Sequence, residues 1–201
     1  MDVPANVIES CKRGEPQGFE ELIRLTHKDV YSLALRLTGN PDDAAEVSQE
    51  TYMKLLRVIR SFRGDSKFST WLYRVTSNVA ISMLRKRSRH DRNVSLDAES
   101  WGDLPAPESA DPELRVEGRL LQDRLDAALM SLPEGYRAVV VMKDIYGLSL
   151  AEAGKQLGIT EGAAKVRLFR ARQRLKEVLY EDEPAGDGRR KRKKEADDGL
   201  S

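Results

Sequence analysis

The sequence predicts an all-α protein of two small helical domains joined by a flexible acidic linker. Three observations predict it. Apolar residues recur at steps of three and four through long windows that stop at glycine or proline. Of the 201 residues, 33% are charged and 6% aromatic, which suits helices with wide solvated faces and disfavours strand-rich folds. Between about Asn93 and Pro112 the period vanishes: Pro105, Pro107 and Pro112 alternate with Asp97, Glu99, Asp103, Glu108 and Asp111. Such a composition buries little apolar area and reads as a tether.

From Phe19 onward Leu22, Ile23, Val30, Leu33, Ala34 and Leu37 fall at helical spacing, and Gly39 supplies the stop. Asn40-Pro41-Asp42-Asp43 then sets an N-cap, a proline at the first helical position and two acids against the positive end of the helix dipole. The second helix carries the stripe Ala44, Val47, Thr51, Leu55, Val58 and Phe62, leaving Glu46, Gln49, Glu50, Lys54 and Arg57 off it. Arg63-Gly64-Asp65-Ser66 breaks the period as a loop. A third helix, Lys67 to Arg87, resumes with Phe68, Trp71, Leu72, Val75, Val79 and Leu84. It runs out in Arg85, Lys86, Arg87, Arg89 and Arg92 against the single acid Asp91, a stretch suited to a phosphate backbone. Trp71 is read as core because it shares the helical stripe with Phe68 and Val75.

Beyond the tether, Leu120, Leu121, Leu125, Leu129 and Leu132 form another stripe ended by Pro133. Tyr136 to Ile145 contains Val139, Val140 and Val141, which alone could form a strand. Pro133-Glu134-Gly135 and Tyr146-Gly147 bracket it, and a helical pair follows, so a helix is expected. The boundaries are therefore 1–92 for the first domain, 93–117 for the linker, 118–180 for the second domain and 181–201 for a disordered charged tail.

In the second domain, Ser149 with Glu152 three positions on reads as a capping box, Gly158 as a tight turn and Thr160 as the next cap. This is a helix-turn-helix. Ala153, Ala163 and Ala164 permit close approach, and Leu150, Leu157, Ile159, Val166 and Leu168 are core candidates, with Val166 read as core before base contact. From Lys165 to Lys176 the second helix carries Lys165, Arg167, Arg170, Arg172, Arg174 and Lys176 and no acid, which suits a DNA groove. Lys165 and Arg170, with Phe169 beside them, fall nearest base edges; Arg172 and Arg174 fall nearer phosphate.

Other classes fare worse. The formal net charge of +1 says nothing about partners, since the charge is segregated along the chain. The single cysteine, Cys11, leaves no internal disulfide or cysteine cluster. No catalytic residue, metal or cofactor is expected: His27 and His90 stand apart, with no H-E-x-x-H and no phosphate-loop glycines. No leader or apolar span is apparent, so a cytoplasmic protein without membrane insertion or small-molecule substrate is expected. A stand-alone helix-turn-helix regulator is the alternative, but the first half lacks the strand–helix alternation of a receiver domain. A pure protein-interaction module accounts poorly for the basic helix.

These residues resemble the extracytoplasmic-function sigma factors of the sigma-70 family, which contain only the sigma-2 and sigma-4 domains. Glu46-Val47-Ser48-Gln49-Glu50-Thr51-Tyr52 resembles the family's polymerase-binding helix, Phe62 to Arg74 its promoter-melting segment, and Gly162 to Leu175 its minus-35 reader. The resemblance implies promoter-specific initiation of transcription with core RNA polymerase and promoter DNA as partners. It implies that Glu46, Gln49 and Glu50 grip core polymerase. Arg63, Gly64, Asp65, Ser66, Lys67, Phe68 and Ser69 would capture a flipped minus-10 base with help from Asn78, while Arg85, Lys86 and Arg87 would hold the duplex upstream. Lys165, Val166, Arg167, Phe169, Arg170, Arg172 and Arg174 would meet the minus-35 element. Relatives often carry hydroxyl side chains where this chain has Val166 and Ala163. The resemblance further implies an anti-sigma protein as inhibitor.

Overall fold

The structure is a computed structural model and describes residues 2–92 and 116–181. The acidic linker, except for its last two residues, and the charged tail, except for its first, lie outside the described residues. Those exceptions are helical: Val116 and Glu117 open one helix and Glu181 closes another.

Eight α-helices form among the described residues. In order they are α1 (Ala5–Arg13), α2 (Pro16–Thr38), α3 (Pro41–Val58), α4 (Phe68–Arg92), α5 (Val116–Met130), α6 (Glu134–Val140), α7 (Leu150–Leu157) and α8 (Glu161–Glu181). A single 3₁₀ turn, Ile59–Ser61, follows α3, and a π turn, Val141–Ile145, extends α6. The valine-rich segment is therefore helical, as its bracketing predicts. Its wider last turn brings the Tyr146 amide to the Val141 carbonyl and the Leu148 amide to the Met142 carbonyl.

The caps act where the sequence places them. The Asn40 side-chain oxygen accepts from the amides of Asp42 and Asp43 at 2.8 and 3.0 Å, starting α3 at Pro41. α2 starts at Pro16, three residues before the expected Phe19, and stops at Gly39, which adopts the left-handed conformation at φ 72°. α1 was not anticipated. Its buried face is Val7, Ile8 and Cys11, with Val3 just ahead, and left-handed Gly14 at φ 81° ends it. The helical spacing of those four residues and the following glycine are the signals that reveal it in the sequence.

Two apolar clusters hold the helices. One packs α1, α2, the end of α3 and the start of α4 through Val7, Ile8, Cys11, Leu22, Val30, Leu55, Ile59, Phe68 and Leu72. Trp71 packs against this cluster from its edge, consistent with its core assignment. The other cluster is continuous across the two halves, joining Leu33, Leu37, Val47, Val79 and Leu84 to Leu129, Val139, Met142, Leu168 and Leu175. The halves thus meet along a seam in which α2 and α4 face α5, α6 and α7.

Three arginines reach polar partners across that seam. Arg36 donates from Nε to Asp126 Oδ1 at 2.9 Å and from Nη1 to the Tyr146 hydroxyl at 3.1 Å. Arg74 Nη2 lies 2.7 Å from Glu152 Oε1. Arg137, 6% exposed, points Nη2 at the carbonyls of Leu37 and Thr38 at 3.5 Å each, the negative end of the α2 dipole. Burial pushes the Arg137 guanidinium below its ordinary pKa, and its Nε has no partner among the described residues. Arg137 is thus the least well matched of these seam contacts, long at both carbonyls and with one donor unsatisfied.

Candidate nucleic-acid and polymerase interface

The C-terminal helix-turn-helix is built from a short helix, a turn and a long basic helix. The Ser149 hydroxyl oxygen accepts from the Glu152 amide at 3.1 Å, and the Glu152 carboxylate accepts from the Ser149 amide at 2.9 Å. That is the anticipated capping box. Burial raises the Glu152 carboxyl, but the Ser149 hydrogen bonds and Arg74 outweigh it and leave its pKa below the usual value. At the turn, Gly158 takes φ 66° and Thr160 Oγ1 accepts from the Ala163 amide at 3.1 Å. A Cβ on Gly154 would sit 3.0 Å from the Ile159 carbonyl oxygen, so this glycine also lets α7 meet the start of α8. Gly154 thus joins Ala153, Ala163 and Ala164 in permitting the close approach.

Helix α8 buries Ala164, Leu168, Ala171 and Leu175, successive steps of four, three and four. Val166 lies about 200° round the helix from Ala164. It is accordingly 50% exposed, which corrects its reading as core. Phe169 is 64% exposed, and Lys165 and Arg170 are exposed with it, so Lys165, Val166, Phe169 and Arg170 share one open face. The remaining basic residues are engaged. Arg172 forms a two-pronged pair with Asp144 at 2.6 and 2.9 Å, Arg174 stacks over the Tyr136 ring at 5.2 Å, and half-buried Arg167 lies against Gly135.

In the N-terminal half, Arg63, Gly64, Asp65 and Lys67 are exposed, Ser66 and Ser69 are half-buried, and Gly64 turns at φ 86°. Phe68 is different. At 7% exposed it belongs to the core, which corrects its place among the candidate minus-10 residues. Its ring meets Phe62 edge to face at 5.2 Å, closing the loop at its stem. Asn78 is exposed farther along α4. Of the basic residues on that helix, Lys86 is exposed, Arg87 pairs with Asp43 at 3.0 Å, and the Arg85 guanidinium lies against Gly158 across the seam.

On α3, Glu46, Gln49 and Glu50 are all exposed, while Ala44, Val47, Ser48 and Thr51 bury the opposite face. Met53 and Leu56, each 51% exposed, continue the open stripe by one turn. Both lie off the core stripe of α3, which is the one signal for them in the sequence. Among the described residues no group of three or more His, Cys, Asp or Glu is arranged to hold a metal ion. No helix among them is long and apolar enough to cross a membrane.

Comparison with known proteins agrees with this geometry. Residues 22–90 match the family model Sigma-70 region 2, and residues 122–175 match Sigma-70, region 4. The chain is 34% identical to the ECF RNA polymerase sigma factor SigW of Bacillus subtilis, over 86% of this chain and 94% of that protein. It is 37% identical to the ECF RNA polymerase sigma factor SigE of Mycolicibacterium smegmatis, over 80% of this chain, and spans 61% of that longer protein. Among solved structures, the sigma factor RpoE of Bartonella quintana, in complex with the anti-sigma factor NepR, is 27% identical with a TM-score of 0.57, covering 82% of this chain and 98% of that one.

Proposed function

Because this chain belongs to the extracytoplasmic-function sigma factors of the sigma-70 family, we propose that it recruits core RNA polymerase to a specific class of promoters and opens them. It is a specificity factor and carries out no bond chemistry itself, and the bacterial cytoplasm is its place of action. The observation that carries this reading is the open face of α8 behind a fully capped turn. Arg170 there is suited to bidentate contact with a guanine edge, and Val166 and Phe169 to thymine methyl groups. Arg167, Arg172 and Arg174, already held by intramolecular contacts, are suited to phosphate.

The exposed loop Arg63 to Lys67, with Ser69 and Asn78, takes the flipped base of the minus-10 strand, and Arg85, Lys86 and Arg87 hold the adjoining duplex. Glu46, Gln49 and Glu50 supply acceptors to core polymerase, with Met53 and Leu56 as apolar neighbours in the same patch. An anti-sigma protein is proposed as inhibitor, as in the solved RpoE–NepR complex.

Elements centred ten and thirty-five base pairs upstream lie about 25 base pairs apart, roughly 85 Å along B-form DNA. Two halves in contact, with Arg74 2.7 Å from Glu152, cannot reach both. The reading therefore requires the seam to part on the polymerase, and the 23 residues between Arg92 and Val116 can extend to roughly 83 Å at most. Separation also frees Arg85 from Gly158. The test combines two measurements in a Cys11→Ser background. Spin labels on Lys54 and Gln173, both exposed, should move apart by tens of ångströms, on the order of the element spacing, when core polymerase and promoter DNA are added. Glu46→Ala, Gln49→Ala and Glu50→Ala combined should abolish that change by weakening polymerase binding. A label distance unaltered in the polymerase complex would contradict the reading.

A further inference from the structure

We infer that helix α1, which precedes the residues matched by either family model, is a working part of the minus-10 reader: Lys12 and Arg60 position the base-capturing loop through the stem residue Phe62. This inference rests on the proposed reading of the loop Arg63 to Lys67.

The grip involves three nearly consecutive residues, Ile59, Arg60 and Phe62. Ile59, 1% exposed, is buried in the same cluster as Val7, Ile8 and Cys11 of α1. Arg60, next in the chain, donates from Nε to the Lys12 carbonyl at 3.0 Å. That oxygen lies in the last turn of α1, where helix carbonyls lack an internal partner and the dipole favours a cation. Phe62 then lies under the Lys12 ammonium, 5.7 Å from Nζ to the ring centroid. Glu9 holds the same ammonium at 2.9 Å, fixing it over the ring.

Downstream of Phe62 the chain leaves as the exposed loop and returns at Phe68. The Phe62 ring contacts Phe68 at 5.2 Å and Trp71 at 5.4 Å, and Phe68 and Trp71 contact each other at 5.6 Å. One stem is thus anchored in the first cluster by Phe68, while the other hangs on Phe62, which is only half-buried. Lys12 and Arg60 restrain that weaker stem. Five residues between two fixed aromatic stems leave the loop little freedom, and a base pocket tolerates displacements of well under an ångström. Gly14 and Gly18 allow the approach: Gly14 is left-handed just beyond α1, and a Cβ on Gly18 would collide with Ser10. Lys12 and Arg60 touch no base. They are positioning residues.

The test uses the full chain bound to core polymerase and a pool of fork-junction DNAs whose single-stranded non-template overhang is randomised. Sequencing the bound fraction gives the base preference at each overhang position. Lys12→Ala should lower enrichment of the preferred flipped base about two- to fivefold, as expected for loss of a cation over an aromatic face. With Arg60→Ala added, the loss should reach about tenfold, since a charged hydrogen bond goes as well. Lys12→Arg should restore the preference, because a guanidinium also sits over a ring. Arg60 is exposed and Lys12 half-buried, and neither belongs to the apolar clusters, so the variants should remain folded by thermal unfolding. A purely structural role would weaken binding to every pool member alike and leave the preference unmoved. An unchanged preference in the double variant, with Asp65→Ala altering it, would overturn the inference while sparing the loop. No change in Asp65→Ala either would remove the loop reading and the inference together.

Discussion

The two halves of the molecule position the residues proposed to face DNA by opposite means. In the first half, position comes from bulk: aromatic stems at Phe62 and Phe68 rest on a cluster holding Leu22, Leu55, Ile59 and Leu72, each at most 1% exposed. In the second, position comes from end chemistry: an eight-residue helix fixed by a capping box and a left-handed glycine leads into the long basic helix, itself started by a threonine cap. A segment that must capture an unstacked base benefits from an anchored frame. A helix laid in a groove needs only the right axis, and short capped elements set it with few buried side chains.

That contrast can be broken from either side. Leu72→Ala should have the largest effect, destabilising the N-terminal half by about 2–5 kcal/mol in urea unfolding, because it empties a site at the centre of the cluster. Duplex minus-35 binding by the other half should suffer far less. Arg170→Ala should leave stability unchanged and weaken promoter duplex binding by about 1–3 kcal/mol in fluorescence anisotropy. Equal losses on random duplex would reassign Arg170 to phosphate. Ser149→Ala should cost about 1 kcal/mol of stability by removing the cap of α7, and should lower duplex affinity only through the axis of α8.

Acid sharpens the same comparison by the smallest effect. The Glu152 carboxyl is held below its usual pKa in the fold, so the stability it contributes is present above the ordinary value of about 4.3 and is lost as pH falls through the lower folded value. Unfolding followed below about pH 4.3 should therefore show the α7 cap and the Arg74 contact weakening, and Glu152→Gln should flatten that limb of the curve.

Much of this was legible in the residues, and the reasons differ by element. α3 and the helix-turn-helix announce themselves because their caps are local: Asn40, Ser149, Glu152 and Thr160 bond to amides two or three positions away. α1 has the same local signals, Val3, Val7, Ile8, Cys11 and Gly14, but they are few and lie among charges. Val166 was misplaced because apolar character was taken for burial, whereas the angular spacing from Ala164, Leu168 and Ala171 puts it outward. Phe68 carried both a core and a DNA-facing expectation, and its burial settles that in favour of the core. The seam could not be read at all. Its parts, Arg36, Arg74 and Arg137 with Asp126, Tyr146 and Glu152, are distant in sequence, and buried arginine is rare enough that no local pattern suggests it. The resemblance to sigma factors is what points to Glu46, Gln49 and Glu50 as proposed acceptors for core polymerase; by composition alone they are an ordinary solvated face.

The most direct measurement reconstitutes the purified chain with bacterial core RNA polymerase and maps transcript 5′ ends on genomic DNA in vitro. The account predicts a discrete set of new start sites, absent with core enzyme alone and sharing sequence at both upstream elements. Start sites no different from those of core enzyme alone would contradict it.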